Sequence, residues 1–303
     1  MEGIRQFIES MITVARTCGY GKAIKRAFFI FLQKCHVPKE GECVFTKLGY
    51  KMYVISRDAG ISSELKTCGI HEPLTTKMLI NTIKRGWTII DVGSNLGYYA
   101  LLEAKLVGEK GKVIAIEPMP KNFRYLKRNV ILNKANNVVL LNCAISDKEK
   151  RVTMIQSSYS NWCRVIDDEA LEVSKNESRH IVSVPAIKID SVVKRFGLKN
   201  VNLIRMDIEG HEYNAVRSAR ETIKNHHPDL LIEIHTKYLK ELTRRLLGLL
   251  RREGYGISWA VVRDVDFLWV GNEKDIKSLR FNDVMKFPKN DIMVYFTTKC
   301  GAI

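Results

Sequence analysis

The chain lacks any apolar run approaching the ~18 residues that a membrane span needs. Ala27-Phe28-Phe29-Ile30-Phe31-Leu32 is far shorter and is flanked by Lys25, Arg26 and Lys34. No signal-peptide cleavage pattern is evident, so cytoplasmic residence is the expectation. No Cys-x-x-Cys pair occurs. The seven cysteines are scattered, which excludes a zinc ribbon and a disulfide framework and suits reduced thiols. Acidic residues are in short supply, 33 against 49 Lys and Arg, for a formal charge of +16. That excess favours polyanions such as RNA, anionic lipid or phosphorylated substrates. Arginine-rich tracts and RNA-binding motifs are missing, so nucleic acid is not the expected partner. Peripheral contact with an anionic membrane stays open, as does a merely solvated lysine-rich surface.

The remaining composition, 46% hydrophobic and 27% charged, is that of a globular protein. At 303 residues the chain can bury one large core, or one core with a small extension. Ile4, Phe7, Ile8, Met11, Ile12 and Ala15 recur at helical spacing. A helix pair over 1–35 follows, either capping the main domain or lying on a membrane surface. Residues 43–55 alternate around Gly49 as a hairpin does, and 72–85 reads as a helix.

From Thr88 the pattern becomes strand, helix, strand, helix. Strands are predicted at 88–91, 112–116, 137–142, 201–206 and 229–234. Helices are predicted at 98–107, 120–133, 188–196, 211–224 and 237–252. Late strands fall near 256–262 and 292–297. Such alternation implies a mostly parallel sheet with helices on both faces. Residues 156–180, polar and carrying Tyr159 and Trp162, read as a long loop or lid.

Two strand ends carry the chemistry of a nucleoside cofactor. Asp91-Val92-Gly93-Ser94-Asn95-Leu96-Gly97 is a glycine-rich turn into a helix, which lets a ligand approach the backbone and presents free N–H groups. It is not the dinucleotide fingerprint Gly-x-Gly-x-x-Gly. One helix and one strand later comes Glu117-Pro118-Met119-Pro120, whose carboxylate can accept from both hydroxyls of a ribose. Two further strand ends are polar. Asp207-Ile208-Glu209-Gly210-His211-Glu212 and Glu233-Ile234-His235 place residues that could act as a base, clamp a substrate or ligate a metal.

In this order, Asp-Val-Gly-x-Asn-x-Gly, Glu-Pro-x-Pro and Asp-Ile-Glu-Gly-x-Glu resemble the FkbM family of S-adenosylmethionine-dependent methyltransferases. Asn129, Leu132-Asn133 and Pro228-Asp229-Leu230-Leu231-Ile232-Glu233 fit as well. Gly69-Ile70-His71-Glu72-Pro73 resembles archaeal members. Two positions depart from the family: Ser94 replaces the usual alanine, and Arg205 the usual lysine.

The resemblance implies an α/β fold of the class I methyltransferase type, a Rossmann-like doubly wound sheet. An N-terminal helical and hairpin extension would cover 1–70 and the methyltransferase domain 71–303. S-adenosyl-L-methionine would be the cofactor. Asp91, Gly93, Ser94, Asn95 and Gly97 would hold its methionine part, Glu117 and Pro118 the ribose, and Asn142, Cys143 and Ala144 the adenine. Glu72 and Thr75 would reach it from the preceding helix. The acceptor would be a hydroxyl of a small molecule, glycan or glycolipid. His211 and Glu209 lead as its base, followed by Glu233 and His235. Asp207 positions the acceptor or ligates a metal, with no metal required by the reading. Two rivals stay open: an RNA methyltransferase, which lacks support from any Asn-Pro-Pro-Tyr-like motif, and a nucleotide-binding or membrane-associated protein without catalysis.

Overall fold

The computed structural model describes residues 21, 24, 27, 31, 38–39, 41–56, 58, 60–156, 163–166, 180–235, 240–262, 276–286 and 291–299. The helix pair predicted over 1–35 lies almost wholly outside them. Strands β1 (Cys43–Phe45) and β2 (Lys51–Tyr53) form the expected antiparallel hairpin. Helices α1 (Ile61–Cys68) and α2 (Pro73–Thr82) follow. Pro73 stands at the start of α2, where its missing N–H costs nothing.

The next stretch runs β3 (Thr88–Val92), α3 (Tyr98–Val107), β4 (Lys112–Ile116), α4 (Pro120–Leu132) and β5 (Val138–Leu141). Then come β6 (Ala144–Ile145), β7 (Arg151–Gln156), β8 (Cys163–Ile166) and β9 (His180–Ile187). The chain returns through α5 (Ile189–Arg195), β10 (Leu203–Met206), α6 (Glu212–Ser218), α7 (Arg220–His226) and β11 (Asp229–Ile234). It closes with α8 (Lys240–Arg252), β12 (Gly256–Val262), β13 (Ile276–Lys277), α9 (Phe281–Val284) and β14 (Ile292–Thr297).

The main sheet has the order β13-β12-β14-β11-β10-β3-β4-β5. The five strands from β11 to β5 are parallel, and β14 inserts antiparallel between β11 and β12. This is the doubly wound sheet of class I methyltransferases that the sequence predicts. The strand order reverses between β3 and β10, which places a crevice at the carboxyl ends of those strands.

Period-two alternation sorts the strand residues between two cores. Ile89, Val113, Ala115, Leu203 and Leu231 face one layer, with the hairpin, α1, α2 and α3. Ile90, Val92, Ile114, Ile116, Ile204, Met206 and Ile232 face the other, with α5 to α8. Each such fully buried side chain contributes about 1.5–3 kcal/mol. Helix α4 is amphipathic. Asn122, Tyr125, Leu126, Asn129 and Val130 are buried, while Lys121, Arg124, Lys127, Arg128 and Ile131 are exposed at helical spacing.

Two local expectations need correction. The segment read as a loop or lid over 156–180 is bounded by strands and includes one. β7 pairs antiparallel with both β8 and β9, and β9 with β6 in parallel, as a separate four-stranded sheet. Val152, Met154, Val184 and Ala186 bury a small core of their own. The polar run over 156–180 hid the strands, and β9 meets β7 only after that run. Tyr159 and Trp162 fall outside the described residues. The helix predicted over 211–224 breaks at Ala219. The Asp190 carboxylate of α5 accepts from the backbone N–H groups of Glu221 and Thr222, so the free amides opening α7 find a partner. Among the described residues, no helix is long and apolar enough to cross a membrane.

Candidate active site

Three parallel strand ends wall one cleft. Val92 ends β3, with Gly93 and Asn95 after it; Ile116 ends β4, with Glu117 and Pro118 after it; Asp207, Ile208, Glu209 and His211 follow β10. Asn122, Cys143, Ala144, Ile145 and Met154 complete the lining. The cleft is open to solvent, with ≈ 590 Å³ of empty space out to its mouth.

Gly93 explains how the walls meet. Its φ is +84°, and a Cβ there would lie 2.1 Å from the carbonyl oxygen of Asp207. Only glycine lets the β3 loop pass so close to the end of β10. Asn95 has φ of +50°, a region asparagine tolerates. Its N–H donates to Glu117 Oε2 at 2.8 Å, and the N–H of Met119 donates to Oε1 at 2.9 Å. The Oδ1 of Asn95 is buried without a partner.

Glu117 is 4% exposed. Burial pushes its carboxyl up to about 7, against the pull of the two amides and with a further push from Asp91. It is therefore part protonated near neutrality. Adenosine, which has no group titrating there, should bind more tightly as pH rises from 6 to 8. An ionised carboxylate can accept from two neighbouring hydroxyls such as those of a ribose, and the protonated form is poorer at this. Glu117→Gln should flatten that dependence and weaken binding by about 1.5–3 kcal/mol. Calorimetric titration across the pH range measures both, and a flat parental profile would contradict the assignment.

Across the cleft, His211 sits with Nε2 3.2 Å from Ser146 Oγ and 3.3 Å from the Asn214 amide nitrogen. Burial lowers its pKa, only partly offset by Glu212 and Asp147. The imidazole is neutral at physiological pH and can take a proton. The turn that carries it is held by Glu212, whose Oε1 accepts from the N–H of Gly210 at 3.0 Å.

His235 is different. Its nitrogens lie 3.3 Å from Glu209, 3.3 Å from Glu212 and 3.9 Å from Glu233. Burial opposes its charge, but Glu233, Glu212 and Glu209 outweigh it and raise the pKa well above the ordinary value. A charged imidazole has no nitrogen left to accept a proton, which removes His235 as a base. Asp207, Glu233 and His235 offer ligand atoms within 4.8 Å of one another. A cation there would compete with the proton His235 already holds.

Several residues assigned from the sequence stand behind the cleft. Asp91 is fully buried, with Oδ1 2.7 Å from Nη1 of Arg205, its neighbour across the sheet. Arg205 in turn lies 4.0 Å over the Tyr99 ring and 3.5 Å from Asp207. Glu103 sits in the same pocket of charge, pushed well above the carboxylate range by burial and by Asp91. The Oε2 of Glu72 accepts from the Tyr99 hydroxyl at 2.6 Å, and Thr75 is buried beside it. Ser94 donates to the carbonyl of Asp91, Gly97 packs on Leu126, and Asn142 donates to the carbonyls of Glu117 and Pro118. Glu233 is 1% exposed behind His235. None of these lines the cleft. They shape the walls because loop spacing fixes nearness to a ligand and not the face a side chain takes.

Other residues escaped the sequence reading. Asn122 follows Glu117 within the first turn of α4, a nearness visible in the sequence. Ser146 and Met154 come from β6–β7, whose pairing no local pattern signals. Cys143 lines the cleft, and burial pushes its thiol up to about 11, so it remains neutral.

Residues 91–257 match the Methyltransferase FkbM domain family. Methyltransferase 1 of Beauveria bassiana is 25% identical over 158 residues, covering 47% of this chain and 61% of its own. Methyltransferase sdnD of Sordaria araneosa is 26% identical over 157 residues, covering 44% and 60%. The alignments thus span about three fifths of the length of these relatives. A solved structure of methyltransferase FkbM from Methylobacillus flagellatus KT is 19% identical, with a TM-score of 0.42, over 69% of this chain and 43% of that one. With more than half of its residues inside the matched domain, the chain belongs to the FkbM family of S-adenosylmethionine-dependent methyltransferases.

Proposed function

We propose that the chain transfers a methyl group from S-adenosyl-L-methionine to a hydroxyl oxygen of a small molecule, glycan or glycolipid. One observation carries this reading: a buried carboxylate suited to a ribose and a neutral imidazole face each other across one cleft at the switch point of the sheet. The residues present fit the cofactor. Glu117 would take the ribose hydroxyls, Asn95 Oδ1 would gain the donor it lacks from the methionine ammonium, and Cys143 and Ala144 would flank the adenine. When bound, the sulfonium supplies a methyl on an excellent leaving group.

The protein's work is then alignment and proton removal. The neutral ring of His211 accepts the hydroxyl proton as the acceptor oxygen attacks, with Ser146 and Asn214 packed beside the ring. Glu209 is the alternative base. Asp207, at the same wall, orients the acceptor. We also read residues 1–70 as an extension of the 71–303 domain; in its described part Val44, Met52, Ile61 and Leu65 share a core with α2 and α3. The archaeal affinity rests on Gly69–Pro73 alone.

Titration with S-adenosylmethionine and with NAD tests the cofactor. The first should bind and the second should not, because the loop lacks the dinucleotide spacing. Tighter NAD binding would sink the reading.

A further inference from the structure

The outward face of α4 carries Lys121, Arg124, Lys127 and Arg128, with Lys134 just beyond its end. The helix contains no acid. Among the described residues none of these five cations forms an ion pair. Arg128 stacks 4.1 Å over the Tyr53 ring and lies 5.8 Å from the centre of the Tyr125 ring. In the middle of the stripe Ile131 is 65% exposed.

The hairpin continues the same face. Tyr53 lies under Arg128, and the Asn133 side chain bonds to both the N–H and the carbonyl of Lys51. The Nζ of Lys51 sits 4.7 Å over the ring of Phe45, which is 72% exposed. Unpaired cations thus surround two apolar side chains left in water.

We propose that this face docks on an anionic lipid surface. Anionic headgroups match the unpaired cations, and the acyl boundary just beneath takes Phe45 and Ile131. A nucleic acid would satisfy the charges and leave the central Ile131 exposed. The contact stands independently of the methyl-transfer reading. Its consequence rests on that reading: α4 begins beside Glu117, and its Asn122 is cleft wall. Docking therefore brings the cleft within one short helix of the bilayer, about 20 Å, and suits an acceptor with a lipid anchor.

Co-sedimentation of the full chain with vesicles tests it. Vesicles of phosphatidylcholine mixed with phosphatidylglycerol should bind the protein, pure phosphatidylcholine should not, and added salt should weaken the binding. The triple variant Arg124→Gln, Lys127→Gln, Lys134→Gln should partition on the order of a hundredfold less, about fivefold per charge. The pair Phe45→Ser and Ile131→Asn should weaken the binding that remains at high salt. Thermal unfolding of each variant checks that the fold is kept. Parental binding by the triple variant, or equal binding to neutral vesicles, overturns the proposal. So does salt-sensitive binding of mixed-sequence RNA that the triple variant loses and the Phe45/Ile131 variant keeps, with no vesicle binding by the parent. No arm uses cofactor, so methyl transfer to a soluble acceptor can succeed or fail separately.

Discussion

Gly93→Ala should abolish cofactor binding and destabilise the protein by several kcal/mol, among the larger effects of any single substitution. Two costs add. At φ of +84° an L-residue is strained by roughly 1–2 kcal/mol. The new Cβ also meets the carbonyl oxygen of Asp207 at 2.1 Å and its carbon at 3.1 Å. These are backbone atoms, so no side chain can swing aside. Asp207 cannot retreat easily, because its N–H donates to the carbonyl of Val92 at 3.1 Å and ties the two strand ends together. Gly197→Ala is the control. It too has positive φ, +56°, but nothing lies within 4 Å of its Cβ, so only the conformational cost applies. Denaturant unfolding of both variants measures the difference. Equal losses would mean that the β3–β10 contact is not rigid.

His211→Ala should lower kcat by ~10²–10⁴-fold, the usual worth of a general base, while the dissociation constant of the cofactor stays near that of the parent. The pH profile carries a sign. Burial lowers the His211 pKa, so the base form persists below the ordinary imidazole range. The parental kcat at saturating cofactor should be level at neutral pH and fall only in acid. Ser146→Ala should reduce kcat modestly and leave KM alone, because it loosens the ring without touching the cofactor walls. If His211→Ala retains full turnover and Glu209→Gln loses it, the carboxylate is the base.

Much of this was legible in the sequence. The β3-α3-β4-α4 succession was, because each strand is a continuous apolar run ended by a polar turn. Glu117 stood out because a carboxylate directly after a buried strand sits at a sheet end wherever the strand pairs, and His211 because it closes the short polar turn Asp207–Gly210 after another. Facing was not legible. Asp91 belongs to the glycine loop by position, but alternation turns it beneath the sheet, where register sets it opposite Arg205. A cross-strand partner more than a hundred residues away cannot be read from spacing. Nor can the protonation of His235, which depends on Glu209 and Glu212 from the turn after β10 as well as on Glu233 of its own strand. The second sheet was missed because β7, β8 and β9 alternate weakly and pair across long connections.

Asn129 has a consequence for how events at the surface reach the cofactor. Fully buried, it donates to the carbonyls of Leu96 and Tyr53 and accepts from the N–H of Tyr53. One amide thus fastens the glycine loop and the hairpin to the same helix. Hairpin and loop therefore share one joint, through which a surface docked at the hairpin can bias the loop. Thermodynamic linkage then imposes reciprocity. Whatever factor a docked surface applies to cofactor affinity, bound cofactor must return to the affinity for that surface, and removing the Asn129 amide should bring both factors toward one together.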